Sequence, residues 1–233
     1  MTDAPESGGG QRGWGRWLYD CLWVLCRTLA VTLLGFRVRF AEPLPRTGGL
    51  LVLSSHQSHL DPLLLGLATD RRLSSLARGS LYGFAPFAAV ITALDAIPID
   101  RNASMLKSMK AVIGRLQAGR AVMMFPEGTR TADGRLGEIK SGFALLAKKA
   151  GVPVVPVAIV GAYECWPRTR LLPRPGRIRL EFGRVIPAEE IARLDERQLV
   201  DRVAAALRRL DTDARRLRAG LGAEATRRAV PRG

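Results

Sequence analysis

From residue 37 onward the chain alternates short apolar runs of strand length with longer stretches whose apolar residues recur at helical spacing. Arg37-Val38-Arg39-Phe40-Ala41-Glu42 alternates polar and apolar, as a half-buried strand does. Gly49-Leu50-Leu51-Val52-Leu53 is continuously apolar and reads as a buried strand, and Leu73–Ala77, Ala96–Ile99, Ala121–Phe125 and Ile178–Phe182 are further runs of that kind. Val152–Ile159 is strand-like too, although Pro153 and Pro156 predict an edge position or strand ends, because proline cannot donate to a ladder. Helices are predicted after Asp61-Pro62 through Leu63–Ala68, over Tyr82–Leu94, over Ala103–Gln117 with Gly119 as its stop, and over Ser141–Ala150 closed by Gly151. A last helix is predicted over Ala188–Leu217, with Leu199, Val203, Leu207 and Leu210 on one face. Strands alternating with helices predict an α/β fold, a single domain around a central mixed, largely parallel sheet flanked by helices, and no internal repeat is visible.

The flanks differ from this pattern. Residues 1–13 are small, polar and glycine-rich, and are expected to be a disordered tail. Residues 14–36 are apolar and aromatic, yet Asp20 and Arg27 lie inside, and each costs about 2.5 to 3.5 kcal/mol near a bilayer centre on insertion scales. An N-terminal membrane-associating helix or helix pair, lying in the interface, fits better than a span: Trp14, Trp17 and Trp23 suit the acyl boundary and Arg12 and Arg16 suit lipid phosphates. Packing on a soluble core and a single span are the alternatives. Residues 220–233 are expected to be a flexible basic tail.

Charge adds a choice of partners. The 233 residues carry a net +15, of which residues 168–233 hold +8 (17 Arg against 9 Asp and Glu). Such a surface suits anionic lipid, an acidic protein or nucleic acid. No helix-turn-helix, zinc finger or aromatic single-strand platform accompanies it, so nucleic acid is not expected. Cys21, Cys26 and Cys165 form no paired spacing, which argues against a disulfide framework and a zinc site.

Candidate chemistry gathers at the predicted strand ends. Both histidines of the chain, His56 and His59, follow the Gly49–Leu53 run, and Asp61 stands five residues after His56. A neutral imidazole is a general base near pH 7, and a carboxylate on its other ring nitrogen fixes the tautomer and steadies the imidazolium. Asp61 before Pro62 is also a good helix start, with Asp as N-cap, so spacing alone leaves a structural role open. Asp100-Arg101 and Glu127-Gly128-Thr129-Arg130 end two other strand-like runs, and open α/β sheets bind ligands at the carboxyl ends of their strands. One base, one orienting carboxylate and several cations suit a phosphorylated alcohol whose hydroxyl must lose its proton. Ser54, Ser55 and Ser58 read as turn residues, and His59 as a surface or helix-start residue.

Four ordered blocks carry a resemblance to the lysophospholipid acyltransferases, in particular the bacterial 1-acylglycerol-3-phosphate acyltransferases. They are Ser55-His56-Gln57-Ser58-His59-Leu60-Asp61, Ala96-Ile97-Pro98-Ile99-Asp100-Arg101, Phe125-Pro126-Glu127-Gly128-Thr129-Arg130 and Val152-Pro153-Val154-Val155-Pro156-Val157. The resemblance covers about residues 38–187 and implies an acyltransferase domain over 37–219. By it, His56 is the base that deprotonates the sn-2 hydroxyl of lysophosphatidate, Asp61 aligns it, and the oxygen attacks an acyl thioester of coenzyme A or acyl carrier protein to give phosphatidate. Arg101 and Arg130 would hold the acceptor's phosphate, Glu127, Gly128 and Thr129 would shape that pocket, and Lys140 would add a cation; Arg78 stands where relatives often carry Lys. It also implies no metal and no cofactor beyond the acyl donor, an anionic membrane surface as partner, and a peripheral or monotopic place on the cytoplasmic face of the inner membrane. The chain has no G-x-S-x-G elbow and no cysteine beside a histidine, which agrees with direct transfer. The motifs fix the reaction better than the headgroup, leaving another lysophospholipid or an aminoacyl lysolipid as the alternative acceptor, and a non-catalytic basic membrane-binding module as the distant alternative. Departures from the family's pattern are Ile139 for the usual Phe, Phe143 for a common Ala, and a short N-terminal segment.

Overall fold

A computed structural model describes residues 24, 27–28, 30–78, 97–99 and 105–229, with only the backbone at 76–78, 97–99, 105 and 221–229. The expected tail at 1–13, the three N-terminal tryptophans, the Tyr82–Leu94 helix and Asp100-Arg101 lie outside the described residues.

Seven strands form one sheet: β1 (Arg37–Phe40), β2 (Leu50–Ser54), β3 (Leu73–Arg78), β4 (Ile97–Ile99), β5 (Ala121–Met124), β6 (Val154–Val160) and β7 (Arg179–Phe182), in the order β1-β7-β6-β2-β5-β3-β4. All neighbours are parallel except β6 and β7. The sheet is therefore mixed and largely parallel, with β1 and β7 running against the rest. The described helices are α1 (Asp61–Ala68), α2 (Met105–Gln117), α3 (Gly142–Ala150), the single turn α4 (Ala162–Cys165), α5 (Ala188–Arg193) and α6 (Glu196–Ala229).

Helices on both faces explain why β2 and β6 are apolar throughout: all their residues are buried, so neither strand has a solvent side to mark with polar residues. Alternate residues serve different cores. Leu50 and Val52 join Leu64, Leu65 and Leu67 of α1, whereas Leu51 and Leu53 join Val112 and Leu116 of α2, Phe143 and Leu146 of α3, and Leu199, Val203 and Leu207 of α6. Gly151, in the left-handed conformation at φ 63°, ends α3 with its N–H on the Ala147 and Lys148 carbonyls.

Three expectations are corrected. The prolines do not put β6 at an edge; it lies between β7 and β2. Pro153 precedes the strand, and Pro156 sits where the β7 side is irregular: the register Val157↔Phe182 slips by one residue before the Val154↔Ile186 bridge. At this bulge Gly183 donates its N–H to the Pro156 carbonyl at 2.8 Å, so an interior proline is tolerated. A Cβ on Gly183 would meet the Pro156 ring at 3.0 Å, which explains a residue without one.

The single helix expected over 188–217 is two. Asp195 and Gln198 form a reciprocal cap, with Gln198 N–H donating to Asp195 Oδ1 at 2.7 Å and Asp195 N–H to Gln198 Oε1 at 2.9 Å, and this restarts the chain as α6. Thirdly, α6 runs on to Ala229, beyond the point where a tail was expected to begin. The added stretch holds Leu, Ala, Glu and Arg, all strong helix formers that offset Gly220 and Gly222.

Before β1, residues 30–34 are helical, Ala30 and Phe36 are buried, and Arg27 Nη1 donates to the Leu67 carbonyl at the end of α1 at 2.7 Å. Among the described residues no helix is long and apolar enough to cross a membrane.

Candidate active site

Strand β2 lies between β5 and β6, so the loop after Ser54 leaves the middle of the sheet. Its register with β5, Leu53↔Met124, brings the turn around Glu127 out beside His56. The His56 imidazole stacks on the Phe125 ring with centroids 3.9 Å apart and planes 13° apart, and its side chain keeps 19% of its exposure. The ring is thus held flat at the mouth of the sheet and open on one side.

Asp61 holds the other side. Its Oδ2 lies 2.8 Å from His56 Nδ1 and accepts the N–H groups of Gln57 at 2.6 Å and Ser58 at 2.7 Å. A carboxylate only accepts, so Nδ1 carries the proton and Nε2 keeps its lone pair; among the described residues no hydrogen bond occupies that nitrogen. The competing role as N-cap fails: the N-cap of α1 is Leu60, and Asp61, inside the first turn, makes no capping bond to the helix. Burial pushes the Asp61 carboxyl above the usual range, against the opposing pull of His56 and the two N–H groups. Its Oδ1 is buried with no hydrogen-bond partner among the described residues.

Glu127 fixes the backbone of the base. Its Oε1 accepts the His56 N–H and its Oε2 the Gly137 N–H, both at 2.7 Å, while the Thr131 N–H reaches the His56 carbonyl at 2.8 Å. The expectation that Glu127 shapes the acceptor pocket is corrected on this point, since both oxygens face main chain and the residue is 5% exposed. Burial raises this carboxyl as well, against the opposing pull of the two N–H groups. The turn that delivers it closes with Gly128 N–H on the Phe125 carbonyl at 3.0 Å, and Gly128 has φ 72°, a conformation that favours glycine. Glu127→Ala is expected to lower stability by roughly 1–3 kcal/mol, the cost of orphaning a buried N–H, and to reduce kcat by about tenfold or more through a loosened His56. Denaturant melts and a KM-against-kcat split check this; KM for the acceptor should hold.

Two cations stand on the segments bonded to the loop of the base. Arg130 Nη1 hydrogen-bonds His59 Nε2, and because a guanidinium only donates, His59 is the acceptor and carries its proton on Nδ1. Burial, followed by the charges of Arg130 and His56, lowers the His59 pKa, which agrees with a neutral ring. Lys140 donates its N–H to the Pro126 carbonyl at 3.0 Å, and its Nζ lies 3.1 Å from where a Gly128 Cβ would stand, so its side chain runs along the turn. The arrangement offers an open base, a partner for the imidazolium, and positive charge on one rim.

The family model for acyltransferases matches residues 35–160, which span the base, the Glu127 turn and strand β6. The chain belongs to this acyltransferase family. A 1-acyl-sn-glycerol-3-phosphate acyltransferase of Pseudomonas aeruginosa is 32% identical over 187 residues, covering 76% of this chain and 71% of that protein. The Bacillus subtilis protein of the same name is 25% identical over 174 residues, covering 74% and 84%. Against the chloroplast proteins of Brassica napus and Arabidopsis thaliana the match spans only about a third of their length, 33% and 32%. The crystal structure of the 1-acyl-sn-glycerophosphate acyltransferase PlsC from Thermotoga maritima superposes with a TM-score of 0.71, covering 88% of this chain and 84% of that one; at 24% identity the likeness is one of fold.

Within this acyltransferase chain, His56, Asp61, Glu127 and Arg130 are brought together, Asp61 and Glu127 by bonds to His56 and Arg130 by its bond to His59. Gly128 and Thr129 are exposed at the tip of the turn. Arg101 lies outside the described residues, as does the Arg78 side chain at the end of β3. Ser54 proves to be the last residue of β2 and not a turn residue, while Ser55 and Ser58 lie in the loop after it; all three are buried and bonded to main chain, Ser54 Oγ to the Ser55 carbonyl, Ser55 Oγ from the Ile159 N–H and Ser58 Oγ to the Trp166 carbonyl. Sequence reasoning missed Gln57, whose Nε2 donates to the Gly134 carbonyl and whose Oε1 accepts the Tyr163 N–H, tying the loop to α4. It also undervalued His59, whose position three residues after His56 was the available signal.

Proposed function

We propose that the protein transfers an acyl group from a thioester, acyl-coenzyme A or acyl carrier protein, to the sn-2 hydroxyl of 1-acylglycerol-3-phosphate, giving phosphatidate. The observation that carries the reading is the open Nε2 of an imidazole fixed through Nδ1 by a buried carboxylate. Nε2 takes the hydroxyl proton as the oxygen attacks the thioester carbonyl. Asp61 stabilises the imidazolium that forms. Collapse of the tetrahedral intermediate breaks the carbon–sulfur bond, and the imidazolium returns its proton to the departing thiolate. The family's naming supports lysophosphatidate as acceptor, and Arg130, Lys140 and Arg101 are the groups that would bind its phosphate, Arg130 being steadied by His59. The acceptor lives in a membrane, and the chain works at the cytoplasmic face of the inner membrane.

An acyl-transfer assay on purified full-length protein, with a panel of lysolipids and both donor types, tests this. Transfer to lysophosphatidate above all other acceptors is expected, and transfer only to acceptors without a terminal phosphate monoester would overturn the headgroup assignment. Arg130→Ala is expected to raise the KM for lysophosphatidate by roughly tenfold or more, the order of a charge-assisted hydrogen bond of about 1.5–3 kcal/mol. Unchanged KM and kcat in that variant would remove Arg130 from the phosphate site.

A further inference from the structure

Leu171 and Leu172 are 88% and 70% exposed, the largest exposure of any bulky apolar side chain among the described residues. Neither serves a core, yet the loop that carries them is built firmly. Trp166 Nε1 donates to the Arg170 carbonyl at 3.0 Å, Arg170 N–H to the Pro167 carbonyl at 3.1 Å, and Arg174 N–H to the Cys165 carbonyl at 2.9 Å. Pro167, Pro173 and Pro175 restrict the same stretch further. No acidic residue occurs between Glu164 and Glu181, while Arg168, Arg170, Arg174, Arg177 and Arg179 do.

The loop's neighbours give its orientation a use. Its base adjoins the catalytic loop: Ser58 Oγ donates to the Trp166 carbonyl at 2.7 Å, and the Trp166 ring lies 5.4 Å from His59. On its other side, Gly176 and Ile178 donate their N–H groups to the Leu33 and Leu34 carbonyls at 3.1 and 2.8 Å. There, Val31 and Leu33 are themselves about half exposed, at 50% and 53%. The chain that follows the loop is thus tied to the segment that carries these exposed apolar residues.

We propose that the 168–174 loop is a docking surface for an anionic lipid bilayer, with Leu171 and Leu172 entering the acyl boundary and Arg168 and Arg170 resting among the phosphates. Exposed leucines next to the exposed Arg168 and Arg170 match the layering of a bilayer surface, apolar below and anionic above. An acidic protein partner that also covered the leucines is separated from a bilayer by the vesicle test below. Docking there sets the His56 mouth against the surface from which a lysolipid acceptor comes; that purpose rests on the proposed acyl transfer, while the docking itself does not.

The test is co-sedimentation of the full chain with vesicles of phosphatidylcholine alone and of phosphatidylcholine mixed equally with phosphatidylglycerol. The double variant Leu171→Glu, Leu172→Glu is expected to lower the partition coefficient on anionic vesicles by about tenfold or more with an unchanged circular dichroism spectrum and melting temperature. Arg168→Gln with Arg170→Gln is expected to weaken partition on the anionic vesicles by about tenfold, to leave phosphatidylcholine binding as it was, and to flatten the salt dependence. Transfer to a vesicle-borne acceptor should fall with partition in the leucine variant, while transfer to a short-chain monodisperse acceptor should hold. Unchanged partition in the folded leucine variant overturns the proposal, whether or not that variant loses self-association or binding to acyl carrier protein instead. Leucine-dependent partition in a wild-type protein that acylates nothing would support the surface and remove the acyl-transfer reading.

Discussion

His56→Ala is expected to lower kcat for acyl transfer by about 10³-fold, within the 10²–10⁴ that a positioned general base contributes, with little change in the KM for either substrate. The loop around the ring is held by its main chain: the His56 N–H bonds Glu127 and its carbonyl accepts from Thr131, and alanine keeps both bonds. Asp61 retains the Gln57 and Ser58 N–H groups, so its buried charge is not abandoned. The variant should therefore fold and bind while failing in the chemical step. Single-turnover acyl transfer alongside a thermal melt checks both halves. Activity within threefold of wild type in a folded variant would eliminate the imidazole as base.

The central strands and the base were legible in the sequence because their signals are local. Leu50–Leu53 and Ala121–Met124 are apolar throughout since helices cover both faces, and a strand ending in His56 with Asp61 beyond needs only the intervening turn to pair them. Features set by distant partners were not legible. Pro156 reads as an edge residue until the slip in β7 registers with it, and Glu127 reads as a pocket group until two backbone N–H groups are found on its oxygens. The bond between His59 and Arg130 joins residues 71 apart, beyond any spacing rule. The break before α6 belongs to a different class. Asp195-Glu196-Arg197-Gln198 has the pattern of a capping box, but the apolar positions on either side kept helical spacing and masked it.

Asp61→Asn separates charge from geometry. In a triad where the carboxylate meets only the histidine, asparagine can turn its NH2 to the ring and select the wrong tautomer, at a cost of about 10⁴ in kcat. Here Gln57 and Ser58 both point N–H groups at the oxygen that meets His56, so a rotated amide would set its own donors against two others. Asparagine is thereby obliged to keep its oxygen in place, the proton stays on Nδ1, and what is lost is the negative charge beside the imidazolium. The expected fall in kcat is accordingly smaller, about 10²–10³-fold. Stability should move differently. The folded-state pKa of Asp61 is raised by burial, so the stabilisation linked to its proton is complete below the unfolded value of about 3.9 and is lost as pH rises through the folded value. Wild type minus Asp61→Asn stability should therefore decline as pH rises above about 3.9 and level off beyond the folded value. Urea melts of both proteins across that range read the difference directly. A difference that grew with pH would mean that the three donors on Oδ2 outweigh the burial of its charge, and a loss near 10⁴ in kcat would mean that the amide had turned despite them.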